Sequence, residues 1–483
     1  MAFKRDFLVI SIGRLATSLI ALASIRAVTS FLPPEKYGEL AILVTVQMLC
    51  GLFLINPVGQ HINLHTHAWW DDGTLIRRLK SYRGYIIAAS ALGSIVALGV
   101  TPSVSTISAI STMGVVFVMV AAGTWNATLI PMLNMLGFRA SSVGWSVASS
   151  ITGLIASMLF VTLWSSAIAW FAGQALGMLV GAVGARYYFK SRIPLPIYSK
   201  PRLPLLDKKT ILAYCLPLAL AAGLMWVQVS GYRFAIEHYW GLAQLGFFAV
   251  GLQLAGQIWA LAESLAIQFL YPFFFRRASE HSNNTEVQLA VSDLLNTLVP
   301  VYLLLAGLTI LAAPYLLKIL VAPEYSNAWE FMAVGAVVEL CRALGNVLSN
   351  AAHIKRKTTS LAVPYAIGAT VILLLIISAG EYKADISYAG VALISGAVTM
   401  LTAMSINMYK QVKFKLDSLR CSSALILMIG MAALVMYLPP ASGFSTAISY
   451  LLVLSILVAV FLFLMLWKNP ATVRLLNVQL RNS

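Results

Sequence analysis

Residues 443–467 read GFSTAISYLLVLSILVAVFLFLMLW and contain no charged side chain. A helix needs about 20 mostly apolar residues to cross a bilayer core, and lipid offers the backbone no hydrogen-bond partner, so this run is typical of a transmembrane helix. Similar runs recur along the whole chain and predict an all-α, polytopic membrane protein. We expect fourteen transmembrane helices, at residues 8–31, 38–62, 82–103, 107–136, 143–164, 167–189, 210–233, 242–272, 288–313, 329–351, 360–380, 387–409, 420–438 and 443–467.

The composition agrees with this fold class. Of the 483 residues, 60% are hydrophobic and only 10% are charged, and the mean hydropathy is +0.84. A soluble globular protein has about 45–50% apolar and about 25% charged residues, so a soluble enzyme, a disordered chain and a disulfide-stabilised scaffold are excluded. The cysteines lie far apart in apolar runs without metal-binding spacing, and we interpret them as core residues. They are Cys50, Cys215, Cys341 and Cys421.

The basic residues predict the orientation of the chain. With fourteen helices both termini lie on one side, and 26 of the 33 Lys and Arg residues fall on that side. Only Lys36, Lys318 and Lys383 fall on the other. Because cytoplasmic loops are enriched in Lys and Arg, we expect both termini in the cytoplasm. The first helix is too long for a signal peptide and is expected to stay as an anchor.

A proline-rich segment divides the helices into two groups. Residues 190–209, KSRIPLPIYSKPRLPLLDKK, contain four prolines and are typical of an extended linker. We therefore predict an N-terminal lobe of helices 1–6 (1–189), a cytoplasmic linker (190–209), a C-terminal lobe of helices 7–12 (210–410), and helices 13 and 14 with a short tail (411–483).

Two internal similarities indicate that the lobes arose by duplication. EKYGELAILVTVQ (35–47) is similar to AQLGFFAVGLQLA (243–255) at an offset of 208 residues. NMLGFRASS (134–142) is similar to NAAHIKRKTT (350–359) at an offset of 216 residues. Weak collinear similarity of this kind is expected from a repeat whose axis runs along the membrane normal.

The sequence resembles a known family of transporters. The resemblance rests on two six-helix lobes with two extra helices, on a basic linker, and on the stretches FLPPEKYGELAILVT (31–45) and INPVGQHINLH (55–65). In these features the chain resembles the polysaccharide transporter branch of the multidrug/oligosaccharidyl-lipid/polysaccharide exporter superfamily. Its Wzx-type members are flippases of O-antigen and related lipid-linked oligosaccharides.

The resemblance implies a function in the bacterial inner membrane. The chain is expected to move an undecaprenyl-diphosphate-linked glycan from the cytoplasmic to the periplasmic leaflet through a central cavity, by alternating access. No cofactor, metal ion or nucleic acid is expected. The partners implied are membrane lipids and, in the same membrane, a glycan polymerase and a chain-length regulator.

Four arginines within the predicted helices are candidates for binding the diphosphate, because a cation facing lipid costs about 2.5–3.5 kcal/mol at a helix centre. Arg14 and Arg26 lie on helix 1, about 18 Å apart in height. Arg233 is the counterpart of Arg26 in the other lobe, although snorkelling of Arg26 and a pair between Arg233 and Glu237 are alternatives.

Helices 8 and 10 carry the other candidate site residues. Arg342 is the fourth candidate for the diphosphate, with Glu339 three positions earlier on the same helix face. A self-neutralising pair is the alternative. Glu263 is an isolated acid that is a candidate for coupling transport to a proton or sodium ion, with a buried acid or a partner of an arginine as alternatives.

One loop has the composition of a metal site. HTHAWWDDG (65–73) brings His65, His67, Asp71 and Asp72 together in sequence, and such groups bind zinc. We favour an interfacial tryptophan belt instead and predict no metal.

Two other functions fit parts of the pattern. A cation-coupled drug exporter of the same superfamily would need acids in the lobes, and no carboxylate occurs between residues 7 and 34. A membrane glycan polymerase or ligase would need a sizeable periplasmic segment, whereas the longest outward segment predicted is about fifteen residues (314–328). We therefore do not expect an enzyme.

Overall fold

The protein is described here by a computed structural model that covers residues 2–101, 106–192, 208–280, 284–354, 358–439, 443–467 and 469–476. Every regular element in these ranges is helical. The α-helices are α1 (Ala2–Phe31), α2 (Pro34–Leu49), α3 (Asn56–Asp71), α4 (Leu75–Ser81), α5 (Arg83–Val100), α6 (Thr106–Met135), α7 (Arg139–Leu163), α8 (Ala167–Arg192), α9 (Lys208–Trp226), α10 (Tyr232–Phe269), α11 (Tyr271–Glu280), α12 (Asn284–Leu320), α13 (Trp329–Ile354), α14 (Ala362–Glu381), α15 (Ser387–Gln411), α16 (Ser418–Leu434), α17 (Phe444–Leu466) and α18 (Pro470–Leu476). π-Helical turns join α2 to α3 (Cys50–Ile55) and α9 to α10 (Val227–Gly231).

The described residues contain 13 helical stretches that are long and apolar enough to cross a membrane. One of them, Ile211–Phe269, has 59 residues and would be about 88 Å long, against a hydrocarbon core of roughly 30 Å. Gly241 breaks this stretch with a φ of 81° and a ψ of 171°. The two parts correspond to predicted helices 7 and 8. The predicted all-α polytopic fold with about fourteen spans is therefore confirmed.

The second span is longer than predicted. We expected a helix at 38–62 and a loop at 65–73, but the chain is helical from Pro34 to Asp71, so the loop prediction is wrong. Pro57 does not end the helix, because the wider π-helical turn before it accommodates a residue that has no N–H and a bulky ring. The helix ends only before Gly73, whose φ of 65° is left-handed.

The chain forms two compact units, unit 1 (Met1–Gly246) and unit 2 (Phe247–Ser483). These units are defined by packing, and α9 belongs to unit 1 because it packs against α3. The lobe boundaries proposed from sequence similarity stay a prediction. Of the predicted linker 190–209, residues 193–207 lie outside the described residues.

Small residues hold α6, α7 and α8 together in unit 1. A Cβ atom at Gly173 would lie 2.2 Å from the backbone nitrogen of Ser157, and one at Gly177 would lie 2.5 Å from Gly153. The hydroxyl of Ser149 donates to the carbonyl of Gly177 at 2.8 Å. Close backbone approach through small residues is the usual way in which transmembrane helices pack, and it makes this three-helix group rigid.

Unit 1 also contains a reciprocal contact between the two similar segments. A Cβ atom at Gly38 would lie 2.0 Å from the carbonyl oxygen of Leu242, and a Cβ atom at Gly246 would lie 2.0 Å from the carbonyl oxygen of Pro34. Gly246 lies 208 residues after Gly38, and Leu242 lies 208 residues after Pro34, which is the offset between the two similar segments. A contact in which i meets j′ and i′ meets j indicates a local two-fold axis.

Unit 2 is built around α12. Helices α13, α16, α17 and α18 all pack against it. The two C-terminal spans α16 and α17 contact α12 through a buried cluster that includes Leu311, Tyr315, Met431 and Leu454. The helices added after the predicted repeat are thus fixed to the central helix of this unit.

Candidate functional site

Arg14 and Arg26 both lie on α1. This helix packs against α7, where Gly13 approaches Val143 so closely that a Cβ atom would be 2.3 Å from the valine side chain. Both arginine side chains are exposed in the isolated chain. The guanidinium of Arg14 has no ion pair with any residue that the structure describes. Because lipid is unfavourable for an unpaired cation, this face of α1 is suited to a water-filled space.

Arg233 is the second residue of α10, which directly follows a π-helical turn. The side chain is half-buried, and its Nε atom is shielded from solvent without a hydrogen-bond partner. It lies close enough to the buried Tyr37 of α2 to interact with it electrostatically. Among the described residues, Glu237 does not form an ion pair with it, although the sequence spacing allows one. Arg233 is thus a cation without a carboxylate partner in the part of the chain that the structure describes.

The π-helical turn before Arg233 is held against α2. The indole nitrogen of Trp226 donates to the carbonyl of Thr45 at 3.1 Å, and the hydroxyl of Ser230 contacts the sulfur of Met48 at 3.0 Å. A π-helical turn leaves one backbone carbonyl more weakly bonded, and such turns are frequent at functional sites. Here the packing of the turn against α2 fixes the position of the backbone from which the Arg233 side chain projects.

The structure brings Glu263, Glu339 and Arg342 together in unit 2. Arg342 donates to Glu263 through Nη2 at 2.5 Å and to Glu339 through Nε at 2.6 Å. The side chains are 14%, 19% and 29% exposed for Glu263, Glu339 and Arg342, respectively. One guanidinium therefore faces two carboxylates, and the cluster has a formal charge of −1 inside the membrane-spanning region.

The cluster continues as a row of polar groups along α13. The amide of Asn346 donates to Glu263 at 3.0 Å, and the amide of Asn350 donates to the hydroxyl of Tyr271 at 3.3 Å. Our sequence reasoning missed Asn346. Its signal was present, because Asn346 follows Arg342 by four positions and so lies on the same helix face.

A second charged cluster lies near the start of α12. Asp293, 1% exposed, binds Arg277 of α11 at 2.8 Å and Arg474 of α18 through a bidentate pair whose Nη2 contact is 2.5 Å. Hydrogen bonding to Asp293 raises the pKa of Arg474 above its usual value. Asn469 caps α18 and donates to the carbonyl of Asn296 at 3.2 Å. This cluster holds three segments together and is structural.

The histidines of α3 pack among aromatic rings. The ring centroids of His61 and His65 are 4.6 Å apart, and His65 stacks on Trp69 at 5.4 Å. The guanidinium of Arg78 lies over the ring of Trp69, 5.4 Å from its centroid. Within the described ranges, no group of three or more His, Cys, Asp or Glu side chains is arranged to hold a metal ion.

The fold is similar to that of known transporters. A structure of the lipid II flippase MurJ in an inward closed conformation matches with a TM-score of 0.70 at 11% identity, covering 96% of this chain and 99% of that chain. An inward-facing multidrug resistance MATE family transporter of the MOP superfamily matches with a TM-score of 0.58 at 13% identity, covering 86% and 98%. A MATE protein in complex with MaL6 matches with a TM-score of 0.56 at 12% identity, covering 87% and 97%.

The sequence comparisons do not assign the chain to a family. No protein-family model matches the chain, and no curated protein is similar to it in sequence. At 11–13% identity the structural similarity shows the fold alone. The chain is therefore an integral, multi-pass membrane protein. Its fold is the one shared by MurJ and the MATE transporters of the MOP superfamily.

Proposed function

We propose that the chain is a flippase that moves an undecaprenyl-diphosphate-linked oligosaccharide from the cytoplasmic to the periplasmic leaflet of the bacterial inner membrane. The glycan is an O-antigen or another surface polysaccharide unit. The proposal rests on the fold shared with a lipid II flippase over nearly the full length of both chains. It also includes cytoplasmic termini, because 26 of the Lys and Arg residues fall on that side.

The unpaired arginines of unit 1 are the observation that supports an anionic substrate. Arg14 has no ion pair among the described residues, and Arg233 has a buried Nε atom without a hydrogen-bond partner. Each such cation costs about 2.5–3.5 kcal/mol in lipid, so its retention favours a compensating anion. A diphosphate supplies that anion and several acceptor oxygens for planar guanidinium groups.

Arg14 and Arg26 are proposed to act at two depths. Their offset of twelve positions corresponds to about 18 Å along α1 and about 120° of rotation. A diphosphate that first binds one arginine therefore has a second site towards the other end of the helix. Arg233 is proposed as the third cation of this set, held in place by the packing of its π-helical turn against α2.

Arg342 is proposed to bind the diphosphate only after a change in its own cluster. In the present arrangement Glu263 and Glu339 occupy its guanidinium, and the cluster carries a charge of −1. Binding of one proton or one sodium ion at Glu263 would neutralise the cluster and weaken the contact with Arg342. Glu263 is therefore proposed to couple transport to that ion, and Glu339 is proposed to position Arg342 or to take part in the coupling.

The transport cycle is proposed to be alternating access, as expected for transporters with repeated halves. The glycan and diphosphate enter the protein while the lipid tail stays in the bilayer. A membrane potential that is positive outside favours outward movement of an anion by about 2.3 kcal/mol per charge per 100 mV. The glycan polymerase and the chain-length regulator implied by the family resemblance are proposed as neighbours in the same membrane.

Binding of undecaprenyl diphosphate to the purified protein tests this proposal. We expect Arg14→Gln and Arg233→Gln each to weaken binding about tenfold or more, because a hydrogen bond to a charged group contributes about 1.5–3 kcal/mol. Arg77→Gln is the matched control, since Arg77 is an exposed arginine outside the spans. Equal affinities for the control and both variants, at equal thermal stability, would contradict the proposal.

A cation-coupled exporter of drugs or small molecules is the second candidate. It is favoured by one observation, the formal charge of −1 on the cluster of Glu263, Glu339 and Arg342, which suits a cation. An organic cation that is transported in a Glu263-dependent manner, with no binding of undecaprenyl diphosphate, would support this candidate instead. A membrane glycan polymerase or ligase has no comparable support.

A further inference from the structure

Three basic side chains of unit 1 line one groove. Lys80 lies on α4, Arg83 is the first residue of α5, and Arg186 lies on α8. The groove is partly open to its surroundings. Arg83 and Arg186 stand near the ends of membrane-spanning helices, at the boundary where sequence analysis places the cytoplasmic surface.

The floor of the groove is apolar and firmly packed. Leu79 and Leu129 are 3% and 2% exposed and belong to a buried cluster that joins α3, α4, α6 and α8. Trp125 of α6 is half-buried and completes the lining beside them. The indole and the leucine side chains give the groove an apolar surface next to its three cations, a combination that suits a molecule with both a charged and an apolar part.

Of the residues that the structure describes, no acidic one lines this groove. Within the described ranges, none of its three cations forms an ion pair. Three like charges around one small space repel each other, and an anion between them removes the repulsion. The groove differs in this respect from the clusters at Arg342 and Asp293, where carboxylates of the chain already neutralise the arginines.

We propose that this groove is a binding site for an anionic membrane phospholipid, with the phosphate between Lys80, Arg83 and Arg186 and an acyl chain along Trp125. Charge complementarity selects an anionic headgroup, and the apolar floor selects a lipid over a free phosphate ion. The arginines proposed for the transported diphosphate, Arg14, Arg26 and Arg233, do not line it. The occupant is therefore a resident phospholipid, and the inference does not depend on the flippase proposal.

Tryptophan quenching by brominated lipids tests the site in the full-length, delipidated protein. The probes are phosphatidylglycerol and phosphatidylcholine with the same dibrominated acyl chains. The chain has 11 tryptophans, so the contribution of Trp125 is taken as the difference between the wild type and Trp125→Phe. We expect phosphatidylglycerol to quench more than phosphatidylcholine, and the excess to disappear in Trp125→Phe. Equal quenching by the two lipids would overturn the proposal.

Charge variants test the role of the basic residues. Lys80→Gln and Arg186→Gln are expected to raise the half-saturating concentration of phosphatidylglycerol at least tenfold. Arg77→Gln, which removes an exposed arginine of the same helix α4 outside the groove, is expected to leave it unchanged. Lys80→Arg keeps the charge and should retain binding. Equal effects of the Arg77 and Lys80 substitutions would show bulk surface charge rather than a site, and would overturn the proposal.

A competition experiment separates the resident lipid from the cargo. If undecaprenyl diphosphate displaces phosphatidylglycerol at a lower concentration than phosphatidylglycerol itself needs, the groove serves the transported lipid and the proposal is wrong. We expect the opposite order. Lys80 is exposed, so Lys80→Gln should fold normally, and a shared unfolding midpoint with the wild type confirms that its weaker binding is not a loss of structure.

Discussion

The reciprocal contact of Gly38 and Gly246 leads to a prediction about symmetry. In Gly38→Ala the new Cβ atom would lie 2.0 Å from the carbonyl oxygen of Leu242, whereas contacts below 3.0 Å essentially never occur. The two helices must therefore separate by about 1 Å. Overpacking of this kind costs about 1–3 kcal/mol. Gly246→Ala meets the carbonyl of Pro34 at the same distance, so we expect the same loss.

The double variant gives the sharper result. Both substitutions force the same pair of segments apart, and the separation needed by one relieves part of the clash of the other. We therefore expect the double variant to lose less stability than the sum of the single variants, with a coupling energy of about 0.5–3 kcal/mol. Independent sites would be additive.

Unfolding by SDS in detergent micelles, followed by tryptophan fluorescence, measures these differences. Gly114→Ala on α6 is the control, because a Cβ atom there meets nothing within 4 Å. It should be neutral or more stable by up to about 1 kcal/mol, from helix propensity alone. A Gly38→Ala protein as stable as this control, or strictly additive losses in the double variant, would refute the reciprocal packing.

Three further predictions concern charged groups. Arg342→Met leaves two partly buried carboxylates without their cation and should cost about 3–5 kcal/mol in unfolding free energy. Adding Glu263→Gln to the same chain should restore part of this free energy, and no rescue would count against the cluster. Asp293→Asn should cost about 3 kcal/mol and make α18 accessible to protease, and an intact, protected C-terminal helix would contradict this. The pKa of Asp385 is lowered because the backbone N–H and the hydroxyl of Ser387 donate to its carboxylate. The ionised carboxylate therefore stabilises the start of α15. This stabilisation is complete above pH 3.8 and is lost as the pH falls through the lowered pKa. Hydrogen exchange at the first turn of α15 should speed up only in that acidic range, and a change near neutral pH would contradict the assignment.

The spans were predictable because apolar runs of spanning length leave a local signal in the sequence. The duplication of the lobes stays a prediction. The offset of 208 residues between the similar segments is also the offset between Gly38 and Gly246 and between Pro34 and Leu242, the residues of the reciprocal contact. The i, i+3 pair of Glu339 and Arg342 was one of the alternatives open from spacing alone, and the structure forms it.

Features that depend on packing between distant segments were not predictable. Glu263 is 79 residues from Arg342, and nothing in either helix alone shows that they meet. Asp293 near the start of α12 binds Arg474, which is 181 residues away in the sequence. The predicted helix at 38–62 already ran through Pro57, but its continuation to Asp71 was missed, because the polar composition of HTHAWWDDG (65–73) is typical of a loop.

Flipping of a fluorescent undecaprenyl-diphosphate oligosaccharide in proteoliposomes tests the central proposal most directly. The measurement compares the wild type with Arg14→Glu and with Arg77→Glu at matched protein incorporation, since both variants reverse one exposed arginine and only Arg14 lies within a span. We predict rapid flipping by the wild type and by the Arg77 variant, and at least a tenfold slower rate for the Arg14 variant. A wild type that moves no such lipid, or an Arg14 variant that flips it at the wild-type rate, would contradict the account.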